Sequence, residues 1–200
     1  EEKLGKDHPD VATILDNLGS AYDSKGEYDK AIQYYQQALT IKEEKLGKDH
    51  PDVATSLNSL GSAYYHKGEY DKAIQYHQPA LTIKEEKLGK DHPDVATSLN
   101  SLGSAYYRKG EYDKAIQYYQ QALRIGEEKL GKDHPHVAYS LNNLGNAYYR
   151  KGEYGKAIQY RQQALKIWEE KLGKDHPLTV RARRNLQMDQ QAKSSKCTIM

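Results

Sequence analysis

The chain has 200 residues and a mass of 22.8 kDa, which is room for one compact domain or one short repeat array. Charged residues make up 29% of it and the hydrophobic set only 37%, and Phe is absent whereas Tyr occurs 18 times, a composition that suits thin helical layers better than a thick sandwich core. Thirty basic and 28 acidic residues nearly cancel, which argues against a dedicated nucleic-acid binder, and the single Cys excludes an internal disulfide and a cysteine-based zinc site.

A repeat of 42 residues organises the sequence. The string Lys-Asp-His-Pro recurs at that interval, and the second and third repeats are identical at 37 of 42 positions. The interpretation of one repeat therefore serves for all of them. The repeats are 1–42, 43–84, 85–126 and 127–168, followed by a partial fifth repeat with a capping helix over 169–192.

The first half of each repeat predicts a helix. In the second repeat, apolar residues follow one another at spacings of three and four between Pro51 and Lys67. Asp49 is expected to be the N-cap, and Pro51 suits the first turn because its missing N–H costs little there. Gly68 is expected to end the helix, since glycine adopts the left-handed conformation easily.

The second half of each repeat predicts another helix, from about Glu69 to Leu88, which Gly89 ends. No segment alternates between apolar and polar residues with a period of two, so we expect no strands. Two antiparallel helices joined by a tight turn must bury their open faces on the next pair. The sequence therefore predicts an all-α fold, a right-handed α-solenoid of helix-turn-helix repeats that ends in a capping helix.

The spacing of Leu60-Gly61, Tyr64, Ala73 and Ala80 resembles the tetratricopeptide repeat, in which small residues let the two helices approach closely. The same pattern recurs in the other three complete repeats. Eight residues more than the usual 34 lengthen the second helix and its loop, and this variant resembles the repeats of kinesin light chain. The resemblance implies a non-enzymatic scaffold for protein–protein interaction; a module that stacks head to tail on copies of itself is the alternative.

No motif in the sequence indicates catalysis, a metal site or a cofactor. Leu-Gly-Lys recurs, but it lacks the upstream glycine of a phosphate loop and follows a helix rather than a strand. The periodic histidines, of which His50 is one, are separated by a whole repeat, too far apart to share a zinc ion. We expect them to be part of the loop structure.

The resemblance implies that the first helix of each pair lines the concave side, where a peptide would bind. Asn offers a donor and an acceptor to an extended backbone, Tyr adds apolar area with a polar end, and Arg favours an acidic ligand. The alternative is that the Asn side chains cap or are solvated and that the Tyr rings pack between repeats. The candidate peptide-binding residues are Asn58, Ser62, Tyr65, His66, Asn100, Ser104, Tyr107, Arg108, Asn142, Asn146, Tyr149 and Arg150.

Three features depart from the repeat. Asp16 and Asp23 interrupt the candidate row in the first repeat and give it a more acidic end. Pro79 stands within a predicted helix and should cost up to about 3 kcal/mol unless a kink relieves it, although a neutral change on an exposed face is an equal alternative. Trp168 replaces Lys or Gly of the other repeats and is expected to pack under the last helix.

The C-terminal segment is predicted to be helical to about Gln191 and then flexible over 193–200. The last four residues, from Cys197, fit a C-a-a-X prenylation box, and the basic residues around it would be a second membrane signal. A chance match to the box is the alternative. No run approaches the about 20 apolar residues of a membrane span, and none marks a signal peptide, so we expect a cytoplasmic protein that is membrane-associated only if prenylated.

Overall fold

The structure is a computed structural model that describes residues 8–198, and over this range the backbone forms nine α-helices and no strand. The all-α class is therefore confirmed. Helix α3 runs from Pro51 to Lys67, as predicted, and α4 from Tyr70 to Leu88. The other helices are α1 (Pro9–Ser24), α2 (Tyr28–Leu46), α5 (Pro93–Lys109), α6 (Tyr112–Leu130), α7 (Pro135–Arg150), α8 (Tyr154–Leu172) and α9 (Pro177–Thr198).

Histidine, not aspartate, is the N-cap of the first helices, so the prediction of Asp49 was wrong. His50 has an extended backbone, and its Nδ1 accepts a hydrogen bond from the backbone N–H of Asp52 at 3.1 Å. The reason is steric: Pro51 restricts the residue before it to the extended region, which is the conformation of an N-cap. His92 caps α5 in the same way at 3.1 Å. The periodic histidines thus have a structural role.

Glycine determines how closely the two helices of a pair approach. Gly61 of α3 lies against the ring of His77 of α4, and a Cβ on Gly61 would come within 2.7 Å of that ring. Gly103 of α5 lies in the same way against Tyr119 of α6, at 2.6 Å. A distance this short admits no side chain, so the repeat needs glycine here. This explains the small-residue position that the sequence pattern singles out.

Stacked tyrosines replace phenylalanine in the interior of each helix pair. Tyr64 and Tyr76 lie parallel with ring centroids 5.3 Å apart, and the Lys72 ammonium lies 5.2 Å from the Tyr64 centroid. Offset-stacked rings and a cation over a ring face are both favourable arrangements. Each other complete repeat has the same stack, formed by Tyr22 and Tyr34, Tyr106 and Tyr118, and Tyr148 and Tyr160.

The chain divides into two compact units, an N-terminal unit up to Lys90 and a C-terminal unit from Asp91. In the N-terminal unit, α2 packs against α1 and α3, and α3 pairs with α4. In the C-terminal unit, α6 packs against α5 and α7, and α8 packs against α7 and α9. Helices α2, α6 and α8 each lie between two first helices, which is how an α-solenoid buries its repeats.

Helix α4 continues through Pro79 from Tyr70 to Leu88, with the bounds of the other second helices. The Pro79 side chain is exposed. The ring therefore does not end the helix, although a proline cannot donate the backbone hydrogen bond of this position.

Helix α9 covers the end of the C-terminal unit. Trp168 of α8 is only 1% exposed and lies in a cluster with Ala182 and Leu178 of α9, under the last helix as predicted. Helix α9 extends past the predicted end near Gln191 to Thr198. The prenylation box lies outside the described residues in its last two positions, and the side chain of Cys197 is not described either.

Candidate functional site: the first-helix stripe

The twelve candidate residues, which we call the first-helix stripe, lie on α3, α5 and α7. Helices α5 and α7 contact each other directly within the C-terminal unit. The structure thus places the candidates of α5, which begin at Asn100, next to those of α7, which begin at Asn142. The candidates on α3 belong to the N-terminal unit.

Several amides of the stripe already have partners inside the protein. Asn100 donates from Nδ2 to Ser140 Oγ at 2.9 Å, and Asn146 Oδ1 accepts from Arg161 Nη2 at 2.8 Å. Asn58 Oδ1 lies 2.9 Å from Nδ1 of His77, and Asn142 is only 7% exposed. Asn58, Asn100 and Asn146 thus join neighbouring helices, which is neither the ligand contact nor the capping or solvated role considered for them from the sequence.

The tyrosines of the stripe are half-buried. Tyr107 lies 5.7 Å from the ring of Tyr112, and Tyr149 lies 5.3 Å from that of Tyr154, each in a tilted arrangement. These contacts fix the rings without covering them. The stripe therefore presents rigid aromatic surface, which binds a ligand at a low cost in conformational entropy.

The arginines make the C-terminal part of the stripe positive. Arg150 is exposed, and its guanidinium carbon lies 5.3 Å from the ring centroid of Tyr112. Arg108 is exposed at the corresponding position of α5. Along α5 and α7 the only acidic residue is Asp94, in the first turn of α5.

In the N-terminal unit, the acidic side chains that interrupt the row are paired. Asp23 Oδ1 lies 3.0 Å from His66 Nδ1, and Asp16 Oδ2 accepts from Lys42 Nζ at 2.5 Å. Lys42 also donates to Ser56 Oγ at 2.9 Å. These acidic side chains are bonded within the unit, which distinguishes this surface from the positive α5–α7 surface.

One repeat position beneath the stripe was missed by the sequence analysis as a functional position. It is occupied by Tyr35, His77, Tyr119 and Arg161, and three of these side chains bond to the stripe. Besides the bonds of His77 and Arg161 given above, Tyr119 donates to Ser104 Oγ at 3.2 Å. The signal was present in the sequence, because this position differs between otherwise near-identical repeats. We call these four residues the variable row.

His77 is 2% exposed, and burial, with a smaller contribution from Lys84, lowers its pKa from 6.5 to about 4. Burial in a low-dielectric interior disfavours the charged imidazolium. Because Asn58 Oδ1 can only accept a hydrogen bond, His77 donates from Nδ1. The neutral imidazole is therefore the tautomer that carries its proton on Nδ1 and none on Nε2.

Arg161 and Asp189 form a buried ion pair between α8 and α9. Arg161 Nη1 donates to Asp189 Oδ1 at 2.5 Å, and the two side chains are 6% and 0% exposed. Burial raises the pKa of Asp189 to about 6, although the Arg161 charge acts in the opposite direction. Burial likewise lowers the pKa of Arg161. For each group, burial opposes the charged form while the opposite charge of the partner favours it.

Within residues 8–198, no group of three or more His, Cys, Asp or Glu side chains is arranged to hold a metal ion. The helices in that range include none long and apolar enough to cross a membrane.

Tandem helix pairs with a glycine at the close approach define the protein as an α-helical repeat protein of the solenoid class. The sequence profile of the tetratricopeptide repeat matches residues 42–86, 52–128, 94–165 and 136–191, and a second profile of that repeat matches 11–52. The chain belongs to the tetratricopeptide repeat family. This membership supports a protein-interaction scaffold, which in this fold is typically non-enzymatic. No curated protein sequence matches the chain.

Solved structures show the same fold. A kinesin light chain-like protein of nearly identical TPR-like repeats from Podosopora anserina superposes with a TM-score of 0.81 at 24% identity, covering 96% of this chain and 90% of that one. BtubC (BKLC) from P. vanneervenii gives 0.81 at 25% identity, with 93% and 74% covered. The apo form of RapI gives 0.80 at 20% identity, with 92% and 65% covered. The predicted likeness to kinesin light chain repeats is confirmed.

Proposed function

We propose that the first-helix stripe of the C-terminal unit binds an extended, acidic segment of a partner protein. The observation that carries this proposal is the surface of α5 and α7. Arg108 and Arg150 are exposed at the ends of these helices. Each follows a half-buried tyrosine in sequence, Tyr107 and Tyr149 respectively. Neither helix has an acidic residue after Asp94. A carboxylate of the ligand would meet the arginines, and its apolar side chains would meet the rings.

The amides of the stripe have a supporting role in this proposal. Asn100 and Asn146 can bond to a ligand only by giving up the bonds to Ser140 and Arg161, which lowers the net gain. Asn142 is only 7% exposed, so only a small part of its surface is accessible to a ligand. We therefore assign the larger part of the binding free energy to the Tyr and Arg side chains.

Helix α9 has further basic residues at positions of the same row. Arg184 occupies the repeat position of Asn142, and Arg181 that of Tyr139; both are exposed. They add positive charge to the C-terminal unit, which favours an acidic ligand and hastens its association at low salt.

The test uses a fluorescently labelled extended peptide of alternating Glu and Leu, titrated with the protein in an anisotropy assay. The double variant Arg108→Ala, Arg150→Ala should bind about 5- to 30-fold more weakly, which corresponds to about 1–2 kcal/mol for two partly screened ion pairs. Its affinity should also depend less on salt, because screening acts on the charge term alone.

The matched control removes the same charge elsewhere. Lys129 and Lys166 are exposed on the second helices α6 and α8, so Lys129→Ala with Lys166→Ala should leave the affinity close to that of the parent chain. Equal losses of affinity in the two double variants would show a non-specific effect of charge. If a peptide with Lys in place of Glu binds as tightly as the original peptide, the ligand is not acidic and the proposal is refuted.

Membrane attachment through a prenylated Cys197 stays a prediction of the sequence. Its test is mass spectrometry of the C-terminal peptide from a eukaryotic host, where an unmodified Cys197 would contradict it.

A further inference from the structure

Two positions near the ends of the first helices differ together between the two units. In the N-terminal unit these positions hold Asp23 of α1 and His66 of α3. Two repeats further along the chain they hold Tyr107 of α5 and Arg150 of α7. The C-terminal unit therefore has a permanent positive charge at the place where the N-terminal unit has histidine, and a tyrosine in place of the aspartate that faces it.

The aromatic contact of the basic residue is the same in both units. The ring centroid of His66 lies 5.8 Å from that of Tyr28, and the guanidinium carbon of Arg150 lies 5.3 Å from the ring centroid of Tyr112. Tyr112 is the residue that corresponds to Tyr28 two repeats earlier. The basic side chain at the end of α3 or α7 is thus placed against an equivalent tyrosine.

The two units differ in what faces the basic side chain. Nδ1 of His66 lies 3.0 Å from Oδ1 of Asp23 and 3.2 Å from its Oδ2. Tyr107, at the position of Asp23, lies against the ring of Tyr112, with the centroids 5.7 Å apart. Over residues 8–198, Arg150 forms no ion pair, and its printed contact is the one with Tyr112.

The acidic residues next to Tyr112 and Arg150 in sequence are bonded to lysines. These ion pairs, with N–O distances between 2.6 and 3.1 Å, join Glu111 to Lys109 and Lys114, and Asp113 and Glu153 to Lys151. The corresponding pair of the N-terminal unit, Lys67 with Asp29, has a distance of 2.7 Å. The neighbouring carboxylates are therefore engaged in the same way in both units, and the missing counter-charge of Arg150 is that of Asp23.

We propose that Tyr107, Tyr112 and Arg150 form a subsite for one carboxylate side chain of the bound acidic segment, which we call the Arg150 subsite. The carboxylate of the ligand takes the place beside Arg150 that the Asp23 carboxylate takes beside His66. A cation–π contact leaves the N–H donors of a guanidinium available, so Arg150 can donate two parallel hydrogen bonds to one carboxylate. The subsite, which rests on the proposed function, belongs to the C-terminal unit, because in the N-terminal unit Asp23 already fills this role.

The test introduces the internal carboxylate of α1 at the equivalent position of α5. In Tyr107→Asp the new carboxylate should bond to Arg150 and compete with the ligand. In the anisotropy assay with the peptide of alternating Glu and Leu, this variant should bind about tenfold more weakly than the parent chain. Tyr107→Asn removes the same ring without adding a charge and should lose only about threefold.

The background of Arg150→Ala separates this bond from a general repulsion of the peptide. If the introduced carboxylate acts through Arg150, adding Tyr107→Asp to Arg150→Ala should weaken binding by no more than about threefold further. A general repulsion would cost the full tenfold in both backgrounds.

The second measurement follows the guanidinium of Arg150 itself by nitrogen–proton NMR. The Nε–H resonance of Arg150, assigned by its loss in Arg150→Ala, should shift when the peptide is added to the parent chain. In Tyr107→Asp it should shift in the same direction without peptide. If Tyr107→Asp does not fold, the shift in the parent chain decides.

Three results would overturn the Arg150 subsite while leaving the proposed function in place. They are equal affinities of Tyr107→Asp and Tyr107→Asn, a tenfold loss that persists without Arg150, and an Arg150 resonance that the bound peptide leaves unchanged. A parent chain that does not bind the peptide at all is a different result, because it refutes the proposed function and the subsite with it.

Discussion

Replacing His77 with Tyr, the residue of the first and third repeats, should make the protein more resistant to acid. The imidazole is 2% exposed, and its pKa is lowered to about 4, against 6.5 for an unperturbed histidine. In the unfolded chain His77 takes up a proton near pH 6.5, whereas in the folded protein it stays neutral down to about pH 4. The stability from a neutral His77 is therefore complete above pH 6.5 and is lost as the pH falls toward 4.

The shift of the pKa corresponds to about 3 kcal/mol at 1.36 kcal/mol per unit, and about 2 kcal/mol of that should already be lost at pH 5. The assay is urea denaturation of the parent chain and of His77→Tyr between pH 8 and pH 4, with the difference between the two free energies of unfolding taken at each pH. The other histidines titrate in both proteins, so the difference isolates His77. Tyr should fit the site because Tyr119 packs on Gly103 as His77 packs on Gly61, and Ser62 stands where Ser104 accepts the Tyr119 hydroxyl.

A difference that stays constant from pH 8 to pH 4 would refute the reasoning. It would mean that His77 is hydrated, or that it titrates alike in the folded and unfolded chains. A variant that is less stable at every pH but still shows a difference shrinking by about 2 kcal/mol from pH 7 to pH 5 would support the pKa argument while showing that Tyr packs less well here.

The glycine and histidine positions of the repeat give two further predictions, each measured by chemical denaturation. Gly103→Ala should destabilise the protein by about 1–3 kcal/mol, because its Cβ would come within 2.6 Å of the buried Tyr119 ring. Gly155→Ala in α8 is the control, because nothing lies within 4 Å of the added Cβ. It should stabilise the protein by up to about 1 kcal/mol through helix propensity. Equal effects of the two substitutions would contradict the close-packing role. His92→Ala should cost about 1 kcal/mol through loss of the N-cap of α5, and an unchanged stability would show that the hydrogen bond to Asp94 N–H contributes nothing net.

The helices themselves could be predicted because their ends depend on local chemistry. Glycines after α3 and α4, and prolines at the starts of the first helices, act through their own backbone, so the bounds Pro51–Lys67 agreed with the sequence pattern. The prediction of Asp49 as the N-cap followed from the preference of N-caps for aspartate. It did not take into account that Pro51 restricts His50, the residue before it, to the extended backbone conformation of an N-cap. That restriction is also local, so the sequence contained the answer.

The partners of the stripe could not be predicted from periodicity. A spacing of three and four places Asn58 and Asn100 on one face of their helices, but it does not say which neighbouring helix reaches that face. Whether each amide bonds to His77 or to Ser140 depends on the packing of the next helix. Helix α9 is longer than predicted for a similar reason. Most of its residues after Gln191 are polar but none of them is Gly or Pro, so a flexible segment was predicted from composition although nothing there breaks a helix.

The variable row connects these observations, because one repeat position takes a different chemical role in each context. Tyr119 supplies a neutral packing contact with a hydroxyl for Ser104, His77 supplies a buried donor for Asn58, and Arg161 supplies a charge that pairs with Asp189 of α9. Each of these side chains packs on a first-helix glycine, so the backbone geometry of the pair is the same in all cases. A fixed scaffold with one adjustable position can therefore set acid sensitivity in one repeat and form a buried ion pair with the last helix in another without altering the fold. This is the sense in which near-identical repeats carry information: with the scaffold held constant, the few positions that differ identify where the protein's individual chemistry lies.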